Sequence, residues 1–516
     1  MLSTSILISK NKIMYSTNSR ILTYVICILS ISGISCKKFL ASYSQNNSFI
    51  ETTNDLDELL VGEVYFKLGY ALPEMFFTMD DDVEMGKPGS NNANGLQGKG
   101  TGFYYWLANP AMDNDGTITT TDYFYSDPYR KIASINLILH SVSVLRDKGE
   151  PAVELNRISG EAHFLRAFYY FIMMNIYGKP YKPSTAATDF GIPLKTDPAI
   201  KDQFASRSSA KQVYELIIAD LLAAEQELSG ANTSSTIRVN QPAVQALLSR
   251  VYLFMENYEK AILYADKVIS NNRYQIVNLN NHIAGNDFLT RNASEVVFTM
   301  SRDPFPTVMF LGTEAPPVAF YRISDDLAGI YSQNDLRREV FFIPTSKGYL
   351  KLGKKRKAIN GTNDDVSAIF LVRLSEIYLN KAEALAALDR FEEARNTLQE
   401  LRKKRFKPDE LTPVIAAGAT LMNEIREERR RELCFETHRW FDLRRYGVNT
   451  KYPYSKSIRH RTYTFTGTDH VDYGYYELGP YQQDAAAYIV PIPQDEIEFN
   501  NGLLTNEPRP DRQRKQ

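Results

Sequence analysis

Residues 424–446 read EIREERRRELCFETHRWFDLRRY, from Glu424 to Tyr446. Charges crowd at i, i+4 spacing, as with Glu427 and Arg431. Ile425, Leu433, Phe435, Trp440, Phe441 and Leu443 interrupt them. A segment that threads apolar residues through so many charges is either an anion site or a packed helix whose arginines and glutamates pair internally. The second reading is preferred, because a charge taken out of water must find a partner. The spacing predicts one helix over 420–446.

Helical periodicity extends outward from this segment. Leu56, Leu59, Leu60 and Val64 follow i, i+3, i+4 spacing behind the cap candidates Thr53 and Asn54. Ile132, Ile135, Leu139 and Val142 share one side of a helix over 123–145. Another helix, 153–176, stops at Gly178 and Pro180. Further helices are predicted over 210–228, 242–255, 258–270, 366–388 and 391–404. Residues 275–350 read as short strands and loops, EVVFTM and EVFFIP among them, and 450–490 as Tyr/Gly-rich and irregular. The Gly/Asn-rich stretch 86–102 reads as loop.

A weak repeat is present. Tyr258-Glu-Lys-Ala261 and Phe391-Glu-Glu-Ala394 each open a helix after a short turn, and Ser249 and Ala382 stand nine positions before the aromatic. Small residues let paired helices approach while the aromatic fills the gap, as in tetratricopeptide repeats. The fold class is therefore mostly α, with tetratricopeptide-like helix pairs in a globular body.

The 516 residues carry a net charge of −1 with 43% hydrophobic and 23% charged residues. These proportions exclude a wholly disordered chain, a collagen or a multi-span membrane protein. A charge near zero argues against bulk electrostatic binding to nucleic acid. Among six histidines none forms HExxH, and no Cys/His cluster has zinc spacing. There is no GxSxG elbow and no phosphate-binding GxxxxGK[ST] loop. The acidic runs Asp80-Asp81-Asp82 with Glu84, and Asp113-Asn114-Asp115-Gly116, are either solvated turns or calcium ligands, and neither completes an EF-hand loop. No cofactor is called for.

The long apolar run, Ile21 to Ile34, follows Arg20 and is too short to span a bilayer, which takes about 20 residues. It reads as a signal peptide over 1–35, with Met14 as an alternative start. Gly33-Ile34-Ser35-Cys36 is similar to a bacterial lipobox, although Gly33 stands where Leu is usual. Cys36 is thus the lipidation candidate, with an ordinary leader and an incidental cysteine as the alternative. Several acyl chains, each methylene adding about 0.8 kcal/mol, hold a soluble body to a membrane. Residues 36–54 form a polar, lipidated tether, and Cys434 is then the one cysteine of the body.

The signature segment resembles the SusD/RagB family of outer-membrane nutrient-binding lipoproteins. Its pattern, roughly E-R-R-x-E-L-x-F-E-G-x-R-W-x-D-L-x-R, is met by Glu428, Arg429, Arg430, Glu432, Leu433, Phe435, Glu436, Arg439, Trp440, Asp442, Leu443 and Arg445. Thr437 replaces the usual Gly. The resemblance extends along the chain. Cys36-Lys-Lys-Phe-Leu40 is similar to the lipidated start, and Tyr129, Ile132 and Asn136 fit Y-x-x-I-x-x-x-N. Gly160 to Phe168, Tyr177-Gly178 and Gly191-Ile-Pro-Leu194 follow in order. Arg373, Glu376, Tyr378, Ala382 and Glu383 match L-R-x-x-E-x-Y-L-x-x-A-E, and Pro491-Ile-Pro493, Glu496 and Asn506 match the closing motif.

The resemblance implies a SusD-like N-terminal region over 55–275, a RagB/SusD C-terminal region over 276–516, and helix pairs supporting a loop-rich ligand-binding half. It implies a non-enzymatic protein on the cell surface, anchored in the outer membrane, that captures oligosaccharides for a SusC-like TonB-dependent transporter. Peptide or glycopeptide capture, a transporter-sealing scaffold and, last, an enzyme are the alternatives.

Sugar binding needs flat aromatic faces and polar partners for hydroxyls. With Trp440 in the signature helix, Trp106 is the indole left as a platform, and the resemblance carries over Asn109, three residues on, as a sugar hydrogen-bonding residue. Tyr104, Tyr105, Phe320, Tyr321 and Asp81 are secondary candidates. Trp106 either offers that platform or packs its loop onto the body.

Overall fold

Helix α1 (Thr53–Leu59) runs into a π-helical turn, Leu60–Val64, and buries Leu56, Leu60 and Val64, the spacing seen in the sequence. The computed structural model describes residues 50–65, 75–87, 101–112, 124–198, 204–231, 235–300, 320–344, 350–354 and 366–516. Residues 53–516 form one unit. Of the unit 1–52, residues 50–52 fall among those described, so the apolar run and Cys36 lie outside them, as does 113–116.

Helices α2 (Ser126–Asp147), α3 (Ala152–Tyr177), α4 (Ala210–Glu227), α5 (Gln241–Phe254) and α6 (Tyr258–Ile269) pack each on the next. Then α6 lies on α7 (Leu374–Ala387), which packs against α8 (Phe391–Arg402) and α9 (Gly418–Leu433). Ser249 is fully buried and donates its hydroxyl to the Ala261 carbonyl at 2.9 Å, so its small size sets the α5–α6 approach. The turns before Tyr258 and Phe391 share a device: Glu256 (φ 58°) and Asp389 (φ 61°), each two residues ahead, take the left-handed conformation.

The motif residues are explained by ties between helices. Arg166 of α3 grips Asp220 of α4 through two hydrogen bonds of 2.8 and 2.7 Å, and donates to Asn136 of α2 at 2.8 Å. A Cβ on Gly160 would stand 2.7 Å from Leu228 Cγ, so glycine lets α3 approach the end of α4. The Asn506 side-chain amide accepts from the Ile492 N–H at 2.8 Å and donates to the Ile492 carbonyl at 2.9 Å, tying down the C-terminal segment.

Three sequence expectations are corrected. The helix predicted over 420–446 is two: α9 ends at Leu433, Phe435 (φ 60°) and Thr437 (φ 59°) turn the chain, and α10 (His438–Val448) follows. Thr437 takes the left-handed conformation where the family pattern has glycine, which adopts it without steric penalty. The helix predicted from 366 begins at Leu374, because Leu371–Arg373 is a strand paired with Val296–Thr299. The stretch 450–490 is not irregular but holds a hairpin, Ile458–Phe465 with His470–Leu478. Its first strand buries Ile458, His460 and Thr462 and turns Arg459 and Arg461 outward, a two-residue period overlooked among the tyrosines. Strands numbered in chain order are β1 (Val83–Gly86), β2 (Val296–Thr299), β3 (Phe320–Ile323), β4 (Phe342–Pro344), β5 (Leu350–Leu352), β6 (Leu371–Arg373), β7 (Ile458–Phe465) and β8 (His470–Leu478). Among the described residues they form two-stranded antiparallel pairs, β1–β3, β2–β6, β4–β5 and β7–β8.

Candidate functional site

The site grows from the signature helices. Arg430 of α9 and Arg439 of α10 both reach the acidic run just before β1. Arg439 grips Asp81 with hydrogen bonds of 2.6 and 2.8 Å. Arg430 bonds Asp82 Oδ1 and Asp326, each at 2.8 Å, and Lys456 reaches Asp81 at 2.5 Å and Asp326 at 2.9 Å. Burial pushes the Asp81 carboxyl up, but Arg430 and Arg439 outweigh it and hold the group well below the usual carboxylate range. Burial and the neighbouring Asp82 and Asp81 push Asp80 well above that range. The three carboxylates can converge within 4.8 Å. Guanidinium and ammonium groups supply counter-charge around Asp81 and Asp82, and the run is buried, which corrects the reading of it as a solvated turn.

Strand β1 pairs with β3 in the register Glu84 to Arg322 and Met85 to Tyr321, and Arg322 forms an ion pair with Glu84 across it. Burial pushes the Glu84 carboxyl up against the pull of Arg322. Phe320 stands opposite Gly86 at the start of β3. A cleft of about 430 Å³ opens between this pair and β7, lined by Asp81, Glu84, Ser324, Asp326, Lys456 and His460 among others.

Behind its wall lie the aromatic candidates. Tyr104 and Trp106 both stack on His460, at centroid distances of 4.0 and 4.2 Å and interplanar angles of 9° and 21°. Two rings that parallel one imidazole at such distances must occupy its opposite faces. His460 Nδ1 and Nε2 lie 2.6 and 3.0 Å from the carbonyls of Tyr104 and Asp80, and burial pushes its pKa down to about 4.

Trp106 is 1% exposed, and its indole N–H donates to the Met79 carbonyl at 2.9 Å. The expectation of an open platform is therefore corrected: the indole packs its loop onto the body. Tyr104 and Tyr105 are fully buried and Tyr321 nearly so. Tyr104 Oη accepts from the Met85 N–H at 2.7 Å, and Tyr105 packs on Tyr476 at 4.4 Å. Asn109 is exposed, with its Oδ1 accepting from the Ala111 N–H at 3.2 Å. Gly102 is not loop but part of a helical turn, Thr101–Tyr104, where a Cβ would stand 2.1 Å from the Met112 carbonyl oxygen. The sequence reading missed His460, Lys456 and Asp326, and the period-two pattern of β7 was the available signal for the first.

The remaining signature charges are structural. Arg373 binds Glu295, Glu432 and Glu436 at 2.6–2.7 Å, and Arg405 and Arg337 share Glu432. Arg250 grips Glu376 and Arg445 grips Glu383, each through two hydrogen bonds.

A family model described as "SusD family" matches residues 329–508, and another, described as "Starch-binding associating with outer membrane", matches residues 38–253. The chain belongs to the SusD/RagB family. Within that family it is 23% identical to SusD-like protein P2 of Formosa agariphila, over 94% of this chain and 99% of that one. A solved SusD superfamily protein from Bacteroides thetaiotaomicron shares the SusD-like fold with a TM-score of 0.67 and 24% identity, over 89% of this chain and 100% of that one. A solved structure described as a laminarin-binding SusD-like protein superposes with a TM-score of 0.58 and 18% identity, over 88% and 97% of the two chains. The SusD/RagB signature is thus, in this chain, mostly a set of buried ion pairs, and through them Arg430 and Arg439 hold carboxylates that line the cleft.

Proposed function

We propose that this protein binds oligosaccharides at the cleft between the β1–β3 pair and β7. The cleft carries the reading: carboxylates of Asp81, Glu84 and Asp326 stand beside the Lys456 ammonium and the Ser324 hydroxyl. A sugar hydroxyl both donates and accepts, so it is matched by a wall offering both. The side chains are held by ion pairs, which limits the ordering needed on binding. Tyr104 and Trp106 serve indirectly by fixing His460 in the wall. The family's starch-binding description and the laminarin-binding relative support a glycan ligand.

In this reading the protein is non-enzymatic, anchored through Cys36 on the outer face of the outer membrane, and delivers glycan to a SusC-like TonB-dependent transporter. The test is affinity electrophoresis of the purified protein through gels containing laminarin, starch, and host or microbial polysaccharides, one at a time. Retardation by one glycan, reversed by Lys456→Ala without loss of the folded circular-dichroism spectrum, is the expected result. Migration unaffected by every glycan, with peptides binding instead, overturns it. Co-purification of a TonB-dependent transporter tests the delivery step separately.

A further inference from the structure

We propose that a second cleft, where residues 235–237, 273–274 and 291–296 meet, binds an anionic sugar unit, a uronate or a sulfate ester. Its volume of about 520 Å³ suits one or two sugar units. Its charge differs from that of the first cleft. Among the described residues that line it, the charged ones are both arginines, Arg273 and Arg291, and none is acidic. The first cleft mixes three carboxylates with Lys456 and Arg459, so its charges largely offset one another. Guanidinium groups are donors only, in a planar fork that matches carboxylate and sulfate oxygens.

The surrounding polar groups suit the rest of such a ligand. Ser235, Thr236 and Asn292 line the wall and offer hydroxyl and amide partners. The frame is pre-formed. Gln275 N–H donates to the Ser294 carbonyl at 3.0 Å and Ser294 Oγ to the Gln275 carbonyl at 2.9 Å, joining the two arginine-bearing loops. Thr236 Oγ1 donates to the Arg291 carbonyl at 2.8 Å, while the Thr236 carbonyl accepts from Thr299 N–H of β2 at 2.9 Å. Tyr274 forms part of the wall, 5% exposed, with the Arg273 guanidinium 5.4 Å from its ring centroid. Its hydroxyl is buried without a hydrogen-bond partner, a deficit that a small adjustment around a hydroxyl-rich ligand removes.

The experiment is isothermal titration of the full protein with sodium glucuronate, sodium sulfate and glucose at constant ionic strength. At least one anion is expected to bind, with glucose at least about tenfold weaker. Loss of charge-assisted hydrogen bonds in the R273Q/R291Q double variant should weaken the anion by about tenfold or more, and Tyr274→Phe by a smaller factor. Binding of glucuronate alone assigns the cleft to uronates, and binding of sulfate, to sulfate esters. The proposal is overturned if neither anion gives heat, if glucose binds equally well, or if the folded double variant binds the anion as the unmodified protein does. Lys456→Ala, in the first cleft, leaves this affinity in place, so the two readings fail separately.

Discussion

Replacing Arg373 by methionine removes one guanidinium from a cluster that is closed to water. Arg373 is 1% exposed and makes ion pairs of 2.6, 2.6 and 2.7 Å with Glu295, Glu432 and Glu436, and its Nη2 also donates to the Glu432 carbonyl at 2.6 Å. No carboxylate is left wholly unpaired: Glu432 keeps Arg405 and Arg337, Glu295 keeps Arg405, and Glu436 keeps Lys354. The cluster nevertheless gains one uncompensated negative charge in a medium that screens poorly. Breaking a buried pair in this way costs about 3–5 kcal/mol, a large part of the roughly 5–15 kcal/mol that holds a domain together. For a chain this long, with a urea slope at or above about 3 kcal/mol per M, the midpoint should fall by roughly 1 M. The control is Arg461→Ala, whose pair with Asp472 is 62% and 51% exposed and should matter by less than about 1 kcal/mol. Equilibrium urea unfolding followed by circular dichroism measures both. Equal, small shifts for the two variants would refute the view that the signature charges hold the fold.

The acid response follows from the same cluster. Burial pushes the Glu428 carboxyl up, but Arg337 and Arg431 overcome this and hold it at about 2, below its ordinary 4.5. Its folded pKa is depressed, so its contribution is complete above about 4.5 and is lost as pH falls toward 2. Glu428→Gln should flatten the fall in melting temperature over that window, and an unchanged pH profile would argue against the ion pair. Gly102→Ala places a Cβ on the Met112 and Pro110 carbonyl oxygens, 2.1 and 2.5 Å away. It should displace the 101–112 segment and, through the Tyr104–His460–Trp106 stack, weaken glycan retardation. A variant with unaltered hydrogen exchange in 101–112 would show that the backbone absorbs the change.

Most helices and the sense of the signature segment were legible in the residues, apart from the break after Leu433 and the start at Leu374. Period-3.6 patterns such as Leu56, Leu60 and Val64 are local, and stop and small-residue signals such as Gly178 and Ser249 act within a turn or two. That Arg and Glu in 424–446 pair internally was the preferred reading, because a charge taken out of water needs a partner. Which partners they take was not: Glu295, Arg405, Asp81 and Lys354 are far along the chain. Tertiary structure also decided the fate of Trp106. An indole beside a Gly-rich loop reads the same whether it faces solvent or a histidine, and His460 is 354 positions away. The break at Cys434 to Thr437 likewise depends on where α10 must go to reach Asp81, since nothing in the residues themselves favours a left-handed threonine. The cleft is a meeting of β1, β3 and β7, drawn from three distant stretches, and long-range packing alone brings its carboxylates and its lysine together.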